Sequence, residues 1–197
     1  MTCRSPLIYL VRHGETAWSA SGQHTGLTDL PLTARGEEEA RCLGRWLEHS
    51  IFDHIFTSPL QRAARTSELA GFSGVALVDA DLVEWNYGAY EGKTTAEIRR
   101  QRPEWDLFRD GCPGGESPMA ISARADRVIR RLRALEGNTL IFSSGHFLRA
   151  LAVRWLGLET ATARHFPLST AALSIVGYED DQCNPVIFLW NDTSHRC

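Results

Sequence analysis

The chain has 197 residues, 43% of them hydrophobic and 23% charged, which is typical of a globular domain and excludes a disordered or fibrous chain. A formal net charge of −3 and the lack of any lysine- and arginine-rich run argue against nucleic-acid binding. No stretch predicts a membrane span or a targeting segment, so we expect one cytoplasmic domain over residues 1–197 that does not bind a membrane.

The cysteines and histidines predict neither a disulfide framework nor a metal centre. The cysteines are odd in number, scattered and without a CxxC pair, which favours a reducing compartment. They are Cys3, Cys42, Cys112, Cys183 and Cys197. The seven histidines form no HxH or HExxH motif and none is spaced with cysteine as in a zinc site. We therefore expect no metal and no other cofactor.

The chain opens with strand and helix patterns in alternation. Residues 7–11 (LIYLV) are an apolar run rich in branched side chains, which predicts a strand buried on both faces. Arg12 and His13 follow it directly. Thr33 can cap a helix over residues 34–49, whose apolar side chains recur on one face.

The second strand leads into a helix with a well-marked start. The sequence HIFTS predicts a short strand from residue 54 that ends near Thr57. In the sequence SPLQ that follows, we expect Ser58 as the N-cap and Pro59 at the first helical position, with Gln61 closing a capping box. This places Arg62 in the first turn of the helix.

The middle of the chain predicts a third strand and then mainly helices. Residues 75–78 are apolar and read as the strand, and residues 79–92 as a loop. Two or three helices should fill residues 94–135, interrupted by the loop CPGGESP at 112–118. Residues 140–142 predict a fourth strand.

The last third repeats the opening arrangement and adds an edge. His146 follows the fourth strand at the mouth of an apolar helix, after the turn at Ser144 and Gly145. The runs at 172–179 and 185–190 predict two strands that pair antiparallel at an edge, because little helical sequence separates them. Together these elements predict an α/β fold, a three-layer α/β/α sandwich on a mostly parallel sheet.

The strand ends collect the residues that can bind and transfer an anion. Arg12 and His13 follow the first predicted strand, Ser58 and Arg62 the second, Glu84 the third and His146 the fourth. Ligands of open α/β sheets bind at the carboxyl ends of the strands. We therefore expect these side chains to meet in one site.

The residue types at these ends fit phosphoryl transfer. One imidazole can attack phosphorus, while a second, protonated one neutralises charge together with the arginines. Glu84 could protonate the leaving oxygen and later accept a proton from water. Taken singly, His13 is better explained as a buried histidine bound to a carbonyl and Glu84 as a surface carboxylate, whereas Arg62 could equally be a surface arginine paired with a carboxylate.

Four motifs in order resemble the histidine phosphatase superfamily, which includes the cofactor-dependent phosphoglycerate mutases. They are RHGET at 12–16, SPLQRAARTSE at 58–68, LVEWNYGAYEG at 82–92 and SSGHFLRA at 143–150. The resemblance implies a phosphoglycerate mutase-like fold and a metal-independent enzyme acting on a small phosphorylated molecule.

The resemblance also implies roles for individual residues. His13 would be the phosphorylated nucleophile and Glu84 the acid and base. Arg12, Arg62 and His146 would form the phosphate pocket. Further substrate contacts would come from Ser19, Thr25, Gly26, Ser58 and Phe147.

Within the superfamily, residues 12–33 and 108–117 look most like the sedoheptulose 1,7-bisphosphatase branch. This favours a phosphatase for a sugar phosphate or bisphosphate. A second phosphate could be held by arginines between the acid and the second histidine, or those side chains could simply be solvated. They are Arg99, Arg100, Arg102 and Arg109.

Several questions stay open at this point. The protein could instead be a phosphoglycerate mutase or a non-catalytic module that binds phosphorylated ligands. His24 and the aromatic side chains of residues 85–90 could line the pocket or pack in the core. The oligomeric state is not predicted.

Overall fold

The computed structural model describes residues 6–179 and 184–195. The strands are β1 (Ile8–Arg12), β2 (His54–Thr57), β3 (Leu77–Val78), β4 (Thr139–Ser143), β5 (Leu173–Tyr178) and β6 (Pro185–Asp192). They form one six-stranded sheet in the order β3, β2, β4, β1, β5, β6.

The sheet is parallel except at one edge. Strands β1 and β2 both pair parallel with β4, and β3 pairs parallel with β2. Strand β5 runs antiparallel to β1, and β6 antiparallel to β5. The predicted mostly parallel sheet with an antiparallel edge is therefore confirmed. Every residue of β4 is buried, as expected for a strand covered on both faces.

Helices cover both faces of the sheet. They are α1 (Ala17–Ser21), α2 (Ala34–Leu47), α3 (Gln61–Ser67), α4 (Thr95–Gln101), α5 (Leu107–Asp110), α6 (Pro118–Leu132) and α7 (Gly145–Trp155). Helix α2 packs over one apolar cluster and against α3, whereas α6 and α7 pack together over a second and larger cluster. This is the expected three-layer sandwich.

Strand β3 is shorter and more exposed than the sequence predicts. The expected strand at 75–78 shrinks to two residues at the sheet edge, and the side chains of Leu77 and Val78 are 63% and 67% exposed. An apolar run indicates a strand but does not show whether another layer covers it.

The predicted capping box at the start of α3 is wrong. Leu60 occupies the N-cap position without a side-chain bond, and the helix begins at Gln61. The Ser58 hydroxyl instead accepts a hydrogen bond from the Leu60 N–H within a tight turn. Asp29, from a distant loop, accepts the Gln61 backbone N–H at 2.8 Å, so a tertiary contact replaces the local cap.

The cysteines differ partly from expectation. Cys112 is a free thiol, whereas Cys42 is disulfide-bonded, so the expectation of reduced cysteines throughout is wrong at Cys42. Sequence spacing does not show which cysteines the fold brings together. Cys3, Cys183 and Cys197 lie outside the described residues.

No helix in the described part of the chain has the length and apolar character needed to cross a membrane. A location in the cytoplasm stays a prediction.

Candidate active site

A cavity of about 240 Å³ opens at the carboxyl ends of the neighbouring strands β1 and β4. Arg12, His13, Glu84 and His146 all line it. Helix-bearing connections leave these two strands in different directions, which is where open α/β sheets bind ligands. The structure thus brings together four of the six residues that were predicted from their positions after the strands.

Backbone hydrogen bonds hold His13 in place. Its N–H donates to Ser143 O at 2.9 Å, and its imidazole Nδ1 lies 2.8 Å from Gly14 O. Because a carbonyl only accepts, Nδ1 carries the proton and Nε2 keeps a lone pair. Burial, reinforced by the charges of Arg62 and Arg12, lowers the pKa of His13 well below its usual value. The ring is therefore neutral.

Gly14 is needed where the chain leaves β1. A Cβ atom placed on Gly14 would lie 2.3 Å from the carbonyl oxygen of Gly36 in α2. The loop that carries His13 is thus packed directly against helix backbone, which only a glycine permits.

Arg12 enters the cavity from the end of β1. It donates to Leu168 O at 2.5 Å, but its buried Nε has no acceptor among the described residues. A Cβ on Gly145 would lie 3.1 Å from that Nε, so the first residue of α7 leaves room for the guanidinium. A buried donor without a partner is rare and fits a site for an anion.

Arg62 is fully buried at the second position of α3. It donates to the carbonyl oxygens of Thr25, Gly26 and Thr28, the shortest at 2.8 Å. Its Nε, like that of Arg12, has no acceptor within the described ranges. The alternative of a surface arginine paired with a carboxylate is therefore wrong. Arg62 lies outside the cavity lining, although its charge acts on His13.

Glu84 caps the helix that carries the second histidine. Its Oε2 accepts the His146 N–H at 2.9 Å, and its Oε1 accepts the Phe147 N–H at 2.8 Å. The side chain of Ser144, the N-cap residue of α7, makes no cap bond. A carboxylate at a helix N-terminus is stabilised by the free N–H groups and by the helix dipole. The alternative of a surface glutamate is wrong, since Glu84 is 4% exposed.

The loop that carries Glu84 is held from behind by a buried arginine. Arg124 of α6 donates to the carbonyl oxygens of Asp81, Val83 and Glu84, and it pairs with the Glu116 carboxylate at 2.7 Å. Glu84 stands six residues after β3 rather than at its end. The extra loop thus needs this clamp to reach the sheet edge at which His146 lies.

His146 faces the cavity, and its Nδ1 lies 2.5 Å from the hydroxyl of Tyr87. Burial lowers the pKa of His146 well below its usual value, and the charge of Arg149 adds to this. The expectation of a protonated second imidazole is therefore wrong for the free protein.

Three lining residues were not assigned from the sequence. Tyr87, His24 and Arg149 all contribute to the cavity wall. The His24 ring packs 4.8 Å from that of Tyr87, and burial lowers its pKa to about 4. Arg149 donates to a backbone carbonyl oxygen and lies 4.5 Å over the Phe108 ring. The position of Arg149, three residues after His146 on one helix, is the signal that could have identified it.

The other aromatic residues of the 85–90 segment pack in the core and do not line the pocket. Trp85 and Tyr90 are buried in the larger apolar cluster and do not line the cavity. Only Tyr87 and His24 of this group face it.

The expected substrate-contact residues divide into two groups. Ser19 and Thr25 line the cavity, but the Ser19 hydroxyl is already bonded within the capping box of α1. Gly26, Ser58 and Phe147 lie outside the lining, and Ser58 and Phe147 are completely buried. Their roles stay predictions.

The four arginines expected near a second phosphate do not line the cavity. They bind locally or face solvent: Arg99 donates to Trp105 O, Arg102 to the Tyr90 hydroxyl, Arg109 pairs with Asp110, and Arg100 is exposed. The sequence could not show that their helix and turn lie away from the strand ends.

No group of three or more histidine, cysteine, aspartate or glutamate side chains suited to a metal occurs among residues 6–179 and 184–195. Metal independence stays a prediction, which turnover after exhaustive EDTA treatment would test.

The sequence and fold both match known phosphatases. The histidine phosphatase superfamily (branch 1) matches residues 8–193. An acid phosphatase of Mycobacterium tuberculosis is 40% identical over 91% of this chain and 90% of its own length. The sedoheptulose 1,7-bisphosphatase of Saccharomyces cerevisiae is 39% identical over 80% of this chain and 70% of its own length.

Solved structures agree with the sequence matches. The product of an open reading frame of M. tuberculosis superimposes with a TM-score of 0.91 at 38% identity, over 95% of this chain and 98% of that one. A mutant of the phosphoserine phosphatase of Entamoeba histolytica with phosphoserine bound superimposes with a TM-score of 0.84. The two chains are 25% identical, and the match covers 98% of this chain and 100% of that one. The chain therefore belongs to the histidine phosphatase superfamily.

Proposed function

We propose that this phosphoric monoester hydrolase transfers the phosphoryl group of a small phosphorylated metabolite first to His13 and then to water. The observation that carries the proposal is the state of His13: a neutral ring with Nδ1 bound to Gly14 O and Nε2 unprotonated, beside two buried guanidinium groups with a free Nε each. A nucleophile for a phosphate dianion needs both the lone pair and the neighbouring positive charge.

The reaction divides into two displacements at phosphorus. In the first, Nε2 of His13 bonds to phosphorus, the ester P–O bond breaks, and Glu84 gives a proton to the departing alkoxide. In the second, Glu84 takes a proton from water while the water oxygen bonds to phosphorus. The P–N bond then breaks, and inorganic phosphate leaves with His13 restored.

The positive groups around the cavity act on the transferring group. The buried Nε of Arg12, which lines the cavity, has no acceptor among the described residues, so a phosphoryl group would satisfy it, whereas Arg62 lies outside the lining and contributes its charge. His146 adds an N–H from the end of the neighbouring strand β4. Donors fixed by the fold before substrate arrives stabilise the transition state without reorganisation.

Among metabolites, a sugar phosphate is the best candidate and a bisphosphate such as sedoheptulose 1,7-bisphosphate the best single choice. The yeast relative of that name supports this, and so does one cation in the cavity wall. Arg149 has no carboxylate partner within the described chain, so it is available to a second anionic group. It takes the place that the sequence argument gave to the four outer arginines.

A substrate panel with one variant tests this choice. For Arg149→Gln we expect kcat/KM on the bisphosphate to fall about 10- to 150-fold more than on the matching monophosphate, because one charge-assisted contact is lost. Arg100→Gln, at an exposed position outside the cavity, serves as the matched control. If monophosphates or a phosphoprotein are turned over better than every bisphosphate, the substrate choice is wrong and the phosphatase proposal is unaffected.

A mutase is the second candidate, since a probable phosphoglycerate mutase of Photorhabdus laumondii is 33% identical over 87% of this chain. A mutase would isomerise 3-phosphoglycerate and depend on a bisphosphorylated primer, whereas a phosphatase releases phosphate without one. A binding module would do neither. Measuring both products with and without 2,3-bisphosphoglycerate separates the three, and vanadate should inhibit the phosphatase.

A further inference from the structure

We propose that Tyr87 is a positioning residue that sets the tautomer of His146, so that the imidazole presents Nε2–H to the transferring phosphoryl group. The inference rests on the proposed function for the role of that N–H. Its basis is the 2.5 Å contact between the Tyr87 hydroxyl and His146 Nδ1, across 59 residues of sequence.

The direction of this hydrogen bond follows from the surroundings of the hydroxyl. Tyr87 is 1% exposed, and no other acceptor for its O–H occurs among the described residues. Burial raises the pKa of Tyr87 well above its usual value, so the hydroxyl keeps its proton. A buried hydroxyl that donates nowhere is costly, which favours donation to Nδ1.

The state of the imidazole follows in turn. Burial lowers the pKa of His146, so the ring is neutral and carries one proton. If Nδ1 accepts from Tyr87, that proton is on Nε2. The opposite tautomer would aim a lone pair at an anionic substrate and would leave the Tyr87 proton unpaired.

A competing acceptor makes the tyrosine necessary. Glu84 Oε2 lies 3.9 Å from His146 Nδ1. Without the Tyr87 hydroxyl, a proton on Nδ1 would face this carboxylate and be stabilised by it. Tyr87→Phe should therefore move the proton from Nε2 to Nδ1 or increase protonation of the ring.

The ring itself has little freedom to turn. The rings of Phe108 and His24 lie 5.4 and 5.7 Å from that of His146, and Tyr87 stands edge-on to it at 5.8 Å. Packing thus fixes the plane of the imidazole, and the hydroxyl chooses which nitrogen carries the proton. Partners that orient a metal-bound histidine are worth about 10- to 100-fold in function, and we expect a similar effect for this metal-free imidazole.

The first experiment reads the tautomer without reference to activity. We would record ¹⁵N chemical shifts of His146 in substrate-free wild-type protein and in Tyr87→Phe at neutral pH. The expected result is an Nε2-protonated ring in the wild type and a loss of that state in the variant. A wild-type ring protonated on Nδ1, or the same tautomer in both proteins, would overturn the proposal.

The second experiment is a kinetic cycle. Tyr87→Phe should lower kcat by about 10- to 100-fold, and the same change in a His146→Gln background should have little further effect. Tyr90→Phe is the matched control, because that hydroxyl contacts Arg102 outside the cavity. An equal loss in both backgrounds would show that Tyr87 acts independently of His146. Trapping of phosphohistidine on His13 tests the proposed function separately.

Discussion

Two histidines lie after the ends of adjacent parallel strands, and their Nδ1 atoms have opposite hydrogen-bonding roles. His13 donates from Nδ1 to the carbonyl of the next residue, which leaves a lone pair on Nε2. His146 accepts at Nδ1 from a distant tyrosine, which leaves a proton on Nε2. Both rings are neutral, although only His13 is buried, so the difference between a nucleophile and a donor depends on the partner of the other nitrogen.

The two partners also differ in how they are supplied. The partner of His13 is local and needs only the backbone conformation after β1. The partner of His146 arrives on a loop that Arg124 and Glu116 hold in place. The partner that sets the tautomer of the nucleophile is thus the next residue in the chain, whereas the partner of the donor is brought by tertiary structure. This contrast predicts that substitutions far from the cavity disturb His146 more readily than His13.

Removal of the nucleophile His13 should have the largest effect on kcat. His13→Ala should lower kcat by about 10⁴- to 10⁶-fold, as for other covalent nucleophiles, and abolish the phosphoenzyme. Rapid quench with labelled substrate should trap an acid-labile, base-stable adduct in the wild type. His146→Ala should still accumulate that adduct, more slowly. Formation of the same adduct by His13→Ala would assign the nucleophile elsewhere.

Glu84→Gln tests whether Glu84 supplies the proton to the leaving group. The amide cannot protonate an alkoxide, so the rate on a sugar phosphate should fall about 10²- to 10⁴-fold. The rate on p-nitrophenyl phosphate should change much less, because nitrophenolate leaves without a proton. Glu84 also caps α7, so unfolding of the variant must be measured alongside. Equal losses on both substrates would argue against Glu84 as the acid.

The smallest effect concerns a third imidazole, that of His24. Burial lowers its pKa to about 4, whereas in the unfolded chain it titrates near 6.5. Between these values the unfolded state binds more protons, so the free energy of unfolding decreases as pH falls, by about 2 kcal/mol from pH 7 to 5 for this residue alone. Above pH 7 the contribution is constant.

His24→Gln should remove that part of the pH dependence. Urea unfolding of the wild type and the variant at pH 7 and pH 5 measures it, with the exposed His49→Gln as the control. The pKa of His13 is lowered by burial and by Arg62 and Arg12 in both proteins, so its contribution cancels in the difference. A variant whose stability falls with pH as steeply as that of the wild type would contradict the prediction.

The sequence predicts the sheet and the two histidines because both depend on local patterns. The apolar runs before Arg12 and Ser144 indicate buried strands, and strand ends of a parallel sheet share one edge. Three further features are tertiary: the Tyr87 contact to His146, the cap that Glu84 gives α7, and Asp29 at the start of α3. Each joins residues far apart in the chain, which periodicity and spacing do not encode.

The contact of Gly14 with Gly36 has a consequence for what substitutions the protein can accept. A Cβ on Gly36 would lie 2.1 Å from Glu15 O, just as one on Gly14 would lie 2.3 Å from Gly36 O. Neither position can gain a side chain unless the other backbone moves, so the two are mutationally coupled. The conformational entropy of the nucleophile loop is therefore lost once, when the chain folds, and not again at each encounter with substrate.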